Sequence, residues 1–599
     1  MITPRLAHKD TLVPRSHRAA FFVAGPLLAL LIAPSVQAAA PLSGTSTSKR
    51  GASVPFTTYE AEATNRGKGQ VITMHSLPGK AESTPELEAS GRGYVQLDAR
   101  GDYVEFPRVR AANTIVVRHC IPDDPGGNGT TATLSLFVNR KFRQSLTLSS
   151  KHNWLYGKEG ENGQANEPSA GQSHVFWDES RFFITGGGVR QGDTIRLQKD
   201  STDTATFYRV DLIDLETAPE PLSPPPAGSF LSVVDYGANG TDTNDDTAAI
   251  KRCIDDAKAQ KKLVWIPAGT YYQNEQFQLD GVTVRGAGMW HTNLIGTVEG
   301  TTFAGNVGFR LGGTNAKVSD LHLESAAHTK RSKGGVAILG SFGDCSNWTV
   351  ENVWITHTLV GFWMSGVSDG TIRNCRVRFT YADGININRG STNCLVENNH
   401  VRGSGDDGLA ILAEIERTPT PSKDIKLRNN TVAATWWGHN CDLAGGSGHI
   451  IEDNVFADNA KFGCFTIALP GAYPMYATTD CIIRRNSILR GGGNYAGQKR
   501  GAVSIFPGST SISNVLFQEN EILMPIFRGI HLFGTHPQAI TFERNLIDHP
   551  GEDGIFIDAQ VMGSGEFRNN VVRGVNATFQ SLNNQAGAGY NLTFSGNSR

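Results

Sequence analysis

An excess of charge of either sign is missing. A net charge of −2 over 599 residues leaves no electrostatic footprint for nucleic acid or an anionic membrane surface. Close cysteine pairs are missing too. The eight cysteines (120, 253, 345, 375, 394, 441, 464, 481) stand apart, which excludes the common zinc-ligand spacings. Most read as small buried residues, and only Cys441 with Cys464 makes a pair worth testing for a disulfide. Long apolar runs are absent apart from residues 19–33, too short for a comfortable membrane span. Arg15, His17 and Arg18 precede that run and Val36-Gln37-Ala38 follows it, so residues 1–40 read as a secretory signal cleaved near Ala38. The mature chain is expected in the extracellular or periplasmic space, with an uncleaved N-terminal anchor as the alternative. Helical periodicity is scarce, while 67 glycines and 39% hydrophobic residues describe a folded chain long enough for more than one domain.

What is present is a repeat. Tyr381-Ala382-Asp383-Gly384-Ile385-Asn386-Ile387 is followed by Gly403-Ser404-Gly405-Asp406-Asp407-Gly408-Leu409-Ala410-Ile411. Each copy runs from Asp-Gly into alternating apolar positions, as in a strand with one buried face. An asparagine extends the pattern: Asn399, Asn430, Asn454, Asn486, Asn520, Asn545, Asn570 and Asn597 each close an apolar-polar-polar-Asn unit, with Val353 and Cys375 at the equivalent place earlier. Successive spacings of 22, 24, 31, 24, 32, 34, 25, 25 and 27 residues are those of a stacked solenoid. Short strands and many glycines select an all-β, right-handed parallel β-helix, with the asparagines as a hydrogen-bonded ladder at one bend.

The register turns sequence into geometry. Asp383 lies eight residues after Cys375, and Asp407 eight after Asn399, so the two share a column on adjacent coils about 4.8 Å apart, with Asp406 beside them. Like charges packed this closely raise at least one pKa, which puts a protonated acid beside an ionised base. Asp553 falls in the same column but five coils on, about 24 Å away, and reads as a turn residue.

Residues 41–55 are expected to be a mobile tail. Residues 56–217 lack the coil period, and short alternating strands there predict a β-sandwich. Its Tyr-Glu-Ala-Glu opening and Val-Asp-Leu-Ile-Asp ending resemble jelly-roll carbohydrate-binding modules. The resemblance implies first and last strands side by side and a structural Ca²⁺, with Glu60, Glu62 and Asp211 as candidate ligands; the alternative is acidic residues that only flank edge strands. Trp154, Tyr156, Phe176 and Trp177 form either a sugar-stacking face or core. Residues 218–229 are a stiff proline-rich linker. From residue 230 to 599 runs the β-helix. It is entered by a strand and an amphipathic helix with Ile250, Cys253, Ile254 and Ala257 on one face, an opening that resembles pectate-lyase-like β-helices, where the helix covers the first coil. The acidic pairs Asp245-Asp246 and Asp255-Asp256 are helix cap and solvated face.

Around the carboxylates, Trp363 is expected to project outward beside Asn386. Trp436-Trp437-Gly438-His439 lies on the next coil. Trp363, Tyr381, Asn386, Trp436, Trp437 and His439 are candidate substrate contacts. Insertions at 412–424, 468–480 and 491–501 are expected to emerge on one side of the stack and wall a cleft. From the sandwich to the C-terminus, the combination of Asp-Gly-Ile-Asn, Asp-Asp-Gly 23 residues on, and a Val-Asp-Tyr-Gly-Ala entry resembles bacterial glycoside hydrolase family 87, the α-1,3-glucanases and mycodextranases. That resemblance implies an inverting hydrolase with Asp406 as general acid and Asp383 and Asp407 activating water. No catalytic cofactor is implied. The expected partner is a polysaccharide, α-1,3-glucan or nigeran-like, bound by a monomer. A polygalacturonase-like pectin hydrolase is the neighbouring reading, but it wants an Arg-Ile-Lys for the uronate carboxylate, and none occurs. A non-catalytic glycan-binding β-helix adhesin is the reading from another class.

Overall fold

The computed structural model describes residues 50–64, 67–75, 77–79, 83–157, 167–171, 173–300, 306–326, 335–415, 420–468, 473–508 and 510–599. The signal segment and residues 41–49 of the expected tail lie outside these. Residues 50–53 are not a loose tail. They run along the bends of the solenoid, where Gly51 N donates to Asp453 O (2.7 Å), Ala52 N to Thr431 Oγ1 (2.9 Å) and Ser53 N to Asn398 Oδ1 (2.6 Å). Arg50 closes the contact with an ion pair to Glu521 (2.7 Å). Left-handed bend residues turn polar groups outward, and the segment's backbone donors take them up.

The first body is a sandwich of two antiparallel sheets, one of six strands and one of four. Its first strand, Thr57–Glu60, pairs with its last, Tyr208–Glu216. Inward residues such as Val95, Leu97, Phe106, Ile115, Leu134, Leu136, Leu197 and Val210 are fully buried between the sheets. Phe176 and Trp177 are buried as well, with Trp177 Nε1 donating to Pro85 O (2.8 Å), so these rings are packing rather than a sugar platform.

The second body is a parallel β-helix. Each middle coil contributes short strands to three faces, for example Thr371–Arg373 and Arg376–Arg378 in a 25-stranded parallel sheet and Ile385–Asn388 in a 12-stranded one. The helix Thr247–Gln260 caps the first coil, burying Ala249, Ile250, Cys253, Ile254 and Ala257. Asp245 Oδ1 accepts from Thr247 N (3.1 Å), and Asp246 accepts from Asn239 N (2.8 Å) and Tyr272 N (3.0 Å), while Asp255 and Asp256 are solvated.

The asparagine ladder is continuous. In Asn399, Asn430, Asn454, Asn486, Asn520 and Asn545 the backbone N and the side-chain Nδ2 both donate to Oδ1 of the next ladder asparagine at 2.8–3.0 Å. The residue before each rung adopts a left-handed conformation, as at Asn398 (φ 56°), Asp453 (φ 58°) and Arg544 (φ 54°). That bend aims the asparagine inward, where an unpaired amide would be costly; the ladder pairs every one.

The glycines that follow the site aspartates have a separate cause. A Cβ on Gly384 would stand 2.5 Å from Gly408 O, and one on Gly408 2.2 Å from Val432 Cγ1. Asp-Gly is thus demanded by coil stacking as well as by chemistry, which is why it recurs at Asp553. There Oδ1 accepts from Gln580 N (2.8 Å) and Oδ2 from Asn583 Nδ2 (3.0 Å), a turn role as expected. All eight cysteines are buried free thiols; Cys441 and Cys464 lie on neighbouring coils, with Cys441 N on Cys464 O (2.8 Å), and are not bridged.

The proline segment does not hold two bodies at arm's length. Leu222 N bonds Ala287 O (2.9 Å) and His291 Nε2 meets Pro219 O (2.8 Å). Beyond it the sandwich lies on the solenoid through buried ion pairs: Arg376 is bidentate to Glu216 (2.9 and 2.7 Å), Arg402 bridges Glu179 and Asp214 (2.5 Å each), and Arg378 reaches Glu179 (3.1 Å).

Candidate active site

Successive coils place Asp383, Asp407 and His439 two residues ahead of the strands Ile385–Asn388, Leu409–Leu412 and Cys441–Ala444 of the 12-stranded sheet. The backbone sets their spacing: Asp407 N donates to Asp383 Oδ1 (3.1 Å), and His439 N donates to Asp407 Oδ1 (2.9 Å). Asp383, Asp406 and Asp407 each bring a carboxylate oxygen within 4.8 Å of the others. Asp383 and Asp407 are buried, whereas Asp406 is half-buried at the mouth.

The neighbours orient this trio. Asn386 Nδ2 donates to Asp383 Oδ2 (3.0 Å), Asn388 Nδ2 to Asn386 Oδ1 (2.7 Å), and Ser365 Oγ to Asn388 Oδ1 (2.5 Å). Asn386 is fully buried, so it positions Asp383 and is not a substrate contact. His439 Nδ1 lies 2.8 Å from Asp407 Oδ1. Burial opposes charge on this ring, but the Asp407 carboxylate, helped by Asp442 and Asp406, reverses the balance and raises its pKa to about 9. At neutral pH an imidazolium therefore sits on Asp407.

A fourth carboxyl completes the group. Asp442 stands in register with Ala410 and Asn386 on the outward face of the sheet. It shares a cluster with Asp407 and His439 in which donor atoms again lie within 4.8 Å of one another. Burial, then the Asp407 charge, push its pKa well above the ordinary carboxylate value. The upward shift expected of packed carboxylates appears on Asp442. Asp442 has no Asp-Gly behind it; its signal was a polar residue between Cys441 and Leu443 in the column of Trp363 and Asn386.

Two expected contacts need correction. Tyr381 and Trp436 are buried in a cluster with Leu155 and Val175 of the sandwich, and the Tyr381 hydroxyl meets His152 Nδ1 at 2.8 Å. A sandwich loop covers these rings and withholds them from a ligand. Trp363 is half-buried beside Asn386, as its register requires, with the Arg389 guanidinium 5.4 Å from its ring. Trp437 packs edge-on against Phe462 and Tyr495, and Phe462 lies 4.9 Å from the His439 ring.

The insertions flank the cleft on both sides rather than one. Residues 412–424 and 468–480, described except for 416–419 and 469–472, follow the strands' C-terminal ends, where Ile415 N bonds Pro474 O and Tyr476 N bonds Ala413 O (2.8 Å each). Residues 491–501 precede the strand Gly501–Phe506 and form the hairpin Asn494–Tyr495/Gln498–Lys499.

A four-carboxyl cleft on a parallel β-helix behind a jelly-roll sandwich narrows the field, and comparison closes it. Residues 53–218 match the family described as α-1,3-glucanase catalytic domain D1, and residues 242–586 match catalytic domain D2. The chain belongs to the α-1,3-glucanase catalytic-domain family, glycoside hydrolase family 87. It is a glycoside hydrolase. Among solved structures it resembles the Agl-KA catalytic domain (25% identity, TM-score 0.81, covering 91% of this chain and 98% of that one). It also resembles the catalytic domain of a GH87 α-1,3-glucanase in complex with nigerose (26%, 0.80, 92% and 100%). A third is the catalytic unit of a thermostable GH87 α-1,3-glucanase from Streptomyces thermodiastaticus strain HF3-3 (26%, 0.76, 92% and 97%). The nigerose-bound relative has also been solved as aspartate-to-alanine variants at three positions that follow one another by 23 and 1 residues. No curated protein sequence matches the chain.

Within D1 of this glucanase-family chain, Glu60, Glu62 and Asp211 come together between the first and last strands. Ser90 Oγ donates to Glu60 Oε1 (2.8 Å), Ser90 N donates to Asp211 Oδ2 (3.2 Å), and Arg118 pairs with Asp211 Oδ2. Four further carboxylate oxygens, Glu60 Oε2, both of Glu62 and Asp211 Oδ1, are buried with no hydrogen-bond partner. Burial, reinforced by mutual repulsion, raises Glu60 to about 8 and Glu62 to about 10; burial raises Asp211 to about 6 against the pull of Arg118. Unpartnered hard oxygen donors are what a divalent cation takes up, though the three side chains do not each bring an oxygen within 4.8 Å of the others.

Proposed function

We propose that this hydrolase is an exported, endo-acting enzyme that cleaves α-1,3-linked glucan, or α-1,4 bonds in a nigeran-type chain, with inversion. The observation that carries the reading is the carboxylate trio within 4.8 Å, two members buried and Asp406 half-buried. The 23-and-1 spacing of the aspartates replaced in the nigerose-bound relative is also the spacing of Asp383, Asp406 and Asp407, which supports the same roles here. Asp406, at the mouth, protonates the leaving oxygen. Asp383 and Asp407, held by Asn386 and His439, take the proton of the attacking water. Carboxyls about 5 Å apart ordinarily mark a retaining pair, and 6.5–9.5 Å an inverting one. Asp406 lies within 4.8 Å of both other carboxylates, so the spacing by itself does not select inversion, and that part of the reading rests on the likeness to family 87. Proton NMR during hydrolysis of α-1,3-glucan and of nigeran tests the reading. First-formed β-anomer supports it, α-anomer overturns inversion, and no hydrolysis of either overturns the substrate class.

We also propose a structural Ca²⁺ held by Glu60, Glu62 and Asp211 in D1. Ca²⁺ at 100 times its dissociation constant contributes about 2.7 kcal/mol, so a chelator is expected to lower the melting temperature by about 5 °C or more, with recovery on adding Ca²⁺. Metal analysis of the purified protein provides the second readout. An unchanged melting temperature in a metal-free sample would remove the site.

A further inference from the structure

Three coils beyond Asp442 on the same outward column, through Thr466 and Ser504, stands His531, about 14 Å along the cleft at the strand spacing. It borders a cavity of about 440 Å³ that Lys499, Arg500, Arg528 and Asp558 also line. The hairpin beside the catalytic residues continues into this cavity: Tyr495 lies 4.5 Å from Phe462, which in turn touches His439, while Lys499 ends the hairpin's second strand and Arg500 follows it.

The cavity is built around fixed cations. The Arg528 guanidinium lies 3.7 Å from the Phe556 ring and that of Arg500 4.3 Å from Phe533, and Arg528 Nη1 also donates to Lys499 O (3.3 Å) and meets His531 Nε2 (3.1 Å). Lys499 takes Glu552, which Arg528 approaches only at 3.9 Å, and His531 takes Asp558 at 3.4 Å. Among the described residues Arg500 has no carboxylate within ion-pair distance; its Nη2 donates to Gln498 Oε1 (2.6 Å). The Nε atoms of both arginines and Nδ1 of His531 are buried without a hydrogen-bond partner, so the donors left for a ligand in the cavity are the guanidinium Nη groups. Pinned guanidiniums with surplus donors are the geometry that recognises planar or tetrahedral anions, and a neutral glucosyl unit needs no such surplus.

We propose that this pocket is a distal subsite for an anionic group, a carboxylate or phosphate carried by a sugar about three coils from the bond that is cleaved. The proposal rests on the reading that substrate lies along this cleft. It gives the enzyme a preference for glucan bearing acidic substituents, or interleaved with acidic sugars, over unsubstituted chains.

The test has a binding arm and a kinetic arm. Calorimetry at low salt compares glucuronic acid, glucose 6-phosphate and glucose on the full chain. The two anions are expected to bind more tightly than glucose, with affinity falling as ionic strength rises, and their ranking tells carboxylate from phosphate. Arg500→Ala, checked for an unchanged melting temperature and repeated as Arg500→Gln, should weaken the anions about tenfold, the loss of one charge-assisted hydrogen bond. In the kinetic arm, the ratio of kcat/KM on carboxymethyl α-1,3-glucan to that on the neutral oligosaccharide should fall by a similar factor. Anions bound no better than glucose, or a ratio unmoved by both variants, would overturn the subsite. Anion binding intact in a protein inactive on every glucan would leave the subsite standing and fail the proposed substrate instead.

Discussion

Asp406→Asn is expected to lower kcat on α-1,3-glucan by about 10²–10⁴-fold, the range for removal of a general acid, while nigerose binding and the melting temperature stay near wild type. The substitution is clean because of where Asp406 lies. It is half-buried at the cleft mouth, and an amide there keeps the shape but withholds the proton. Asp383→Asn would be a poorer test: both Asp383 oxygens accept, one from Asp407 N and one from Asn386 Nδ2, so an amide would set a donor against a donor and misplace its neighbours. A dinitrophenyl glycoside separates acid from base. Its leaving group departs without a proton, so most of the lost rate should return in Asp406→Asn. Near-wild-type turnover of glucan would remove Asp406 from the acid role, and equal losses on both substrates would move it to the water side.

The coil and its catalytic column could be read from sequence because two repeating constraints write themselves into it. Each ladder asparagine must bond the next, so its side chain recurs once per coil. Counting eight residues from it then places Asp383 and Asp407 on one edge. The stacked glycines at 384 and 408 follow from the same close approach. What a register cannot report is what lies over it. Tyr381 and Trp436 sit in catalytic coils, yet a loop contributed from residues 152–155, more than 200 positions upstream, covers them. Asn386 has the chemistry of a sugar ligand but is wholly buried against Asp383. Asp442 stands in the column of Trp363 and Asn386, but it has no Asp-Gly behind it, so the repeated motif does not mark it. Insertion length alone does not tell at which end of a strand a loop leaves the coil. Two follow strands and one precedes a strand, which puts them at opposite edges of the cleft.

Arg402→Ala is expected to destabilise the protein by about 3–5 kcal/mol, the cost of breaking a buried ion pair from one side. Arg402 joins the solenoid to the sandwich by reaching Glu179 and Asp214 at 2.5 Å each, with all three side chains at most 4% exposed. The carboxylates do not lose every partner: Glu179 keeps Arg378 (3.1 Å) and Asp214 keeps the Thr58 hydroxyl (2.6 Å). One negative charge is nevertheless left without a cation inside the interface, where neither water nor a counterion reaches it. The pH dependence distinguishes this from simple loss of packing. Burial alone would raise Glu179, but Arg402 and then Arg378 outweigh it and hold its pKa below the ordinary 4.5. A carboxyl depressed in the folded state contributes stability above its unfolded pKa and loses it as pH falls through the folded value. Wild type should therefore lose part of its urea resistance on acidification below about pH 4.5, and Arg402→Ala, already lacking the main cause of the depression, should lose less. Arg402→Met, which refills the volume, should recover little of the deficit at neutral pH if charge is the cause and most of it if packing is. Equal acid sensitivity in wild type and Arg402→Ala would show that Arg378 alone secures Glu179, and would move the weight of the interface to the bidentate Arg376–Glu216 pair.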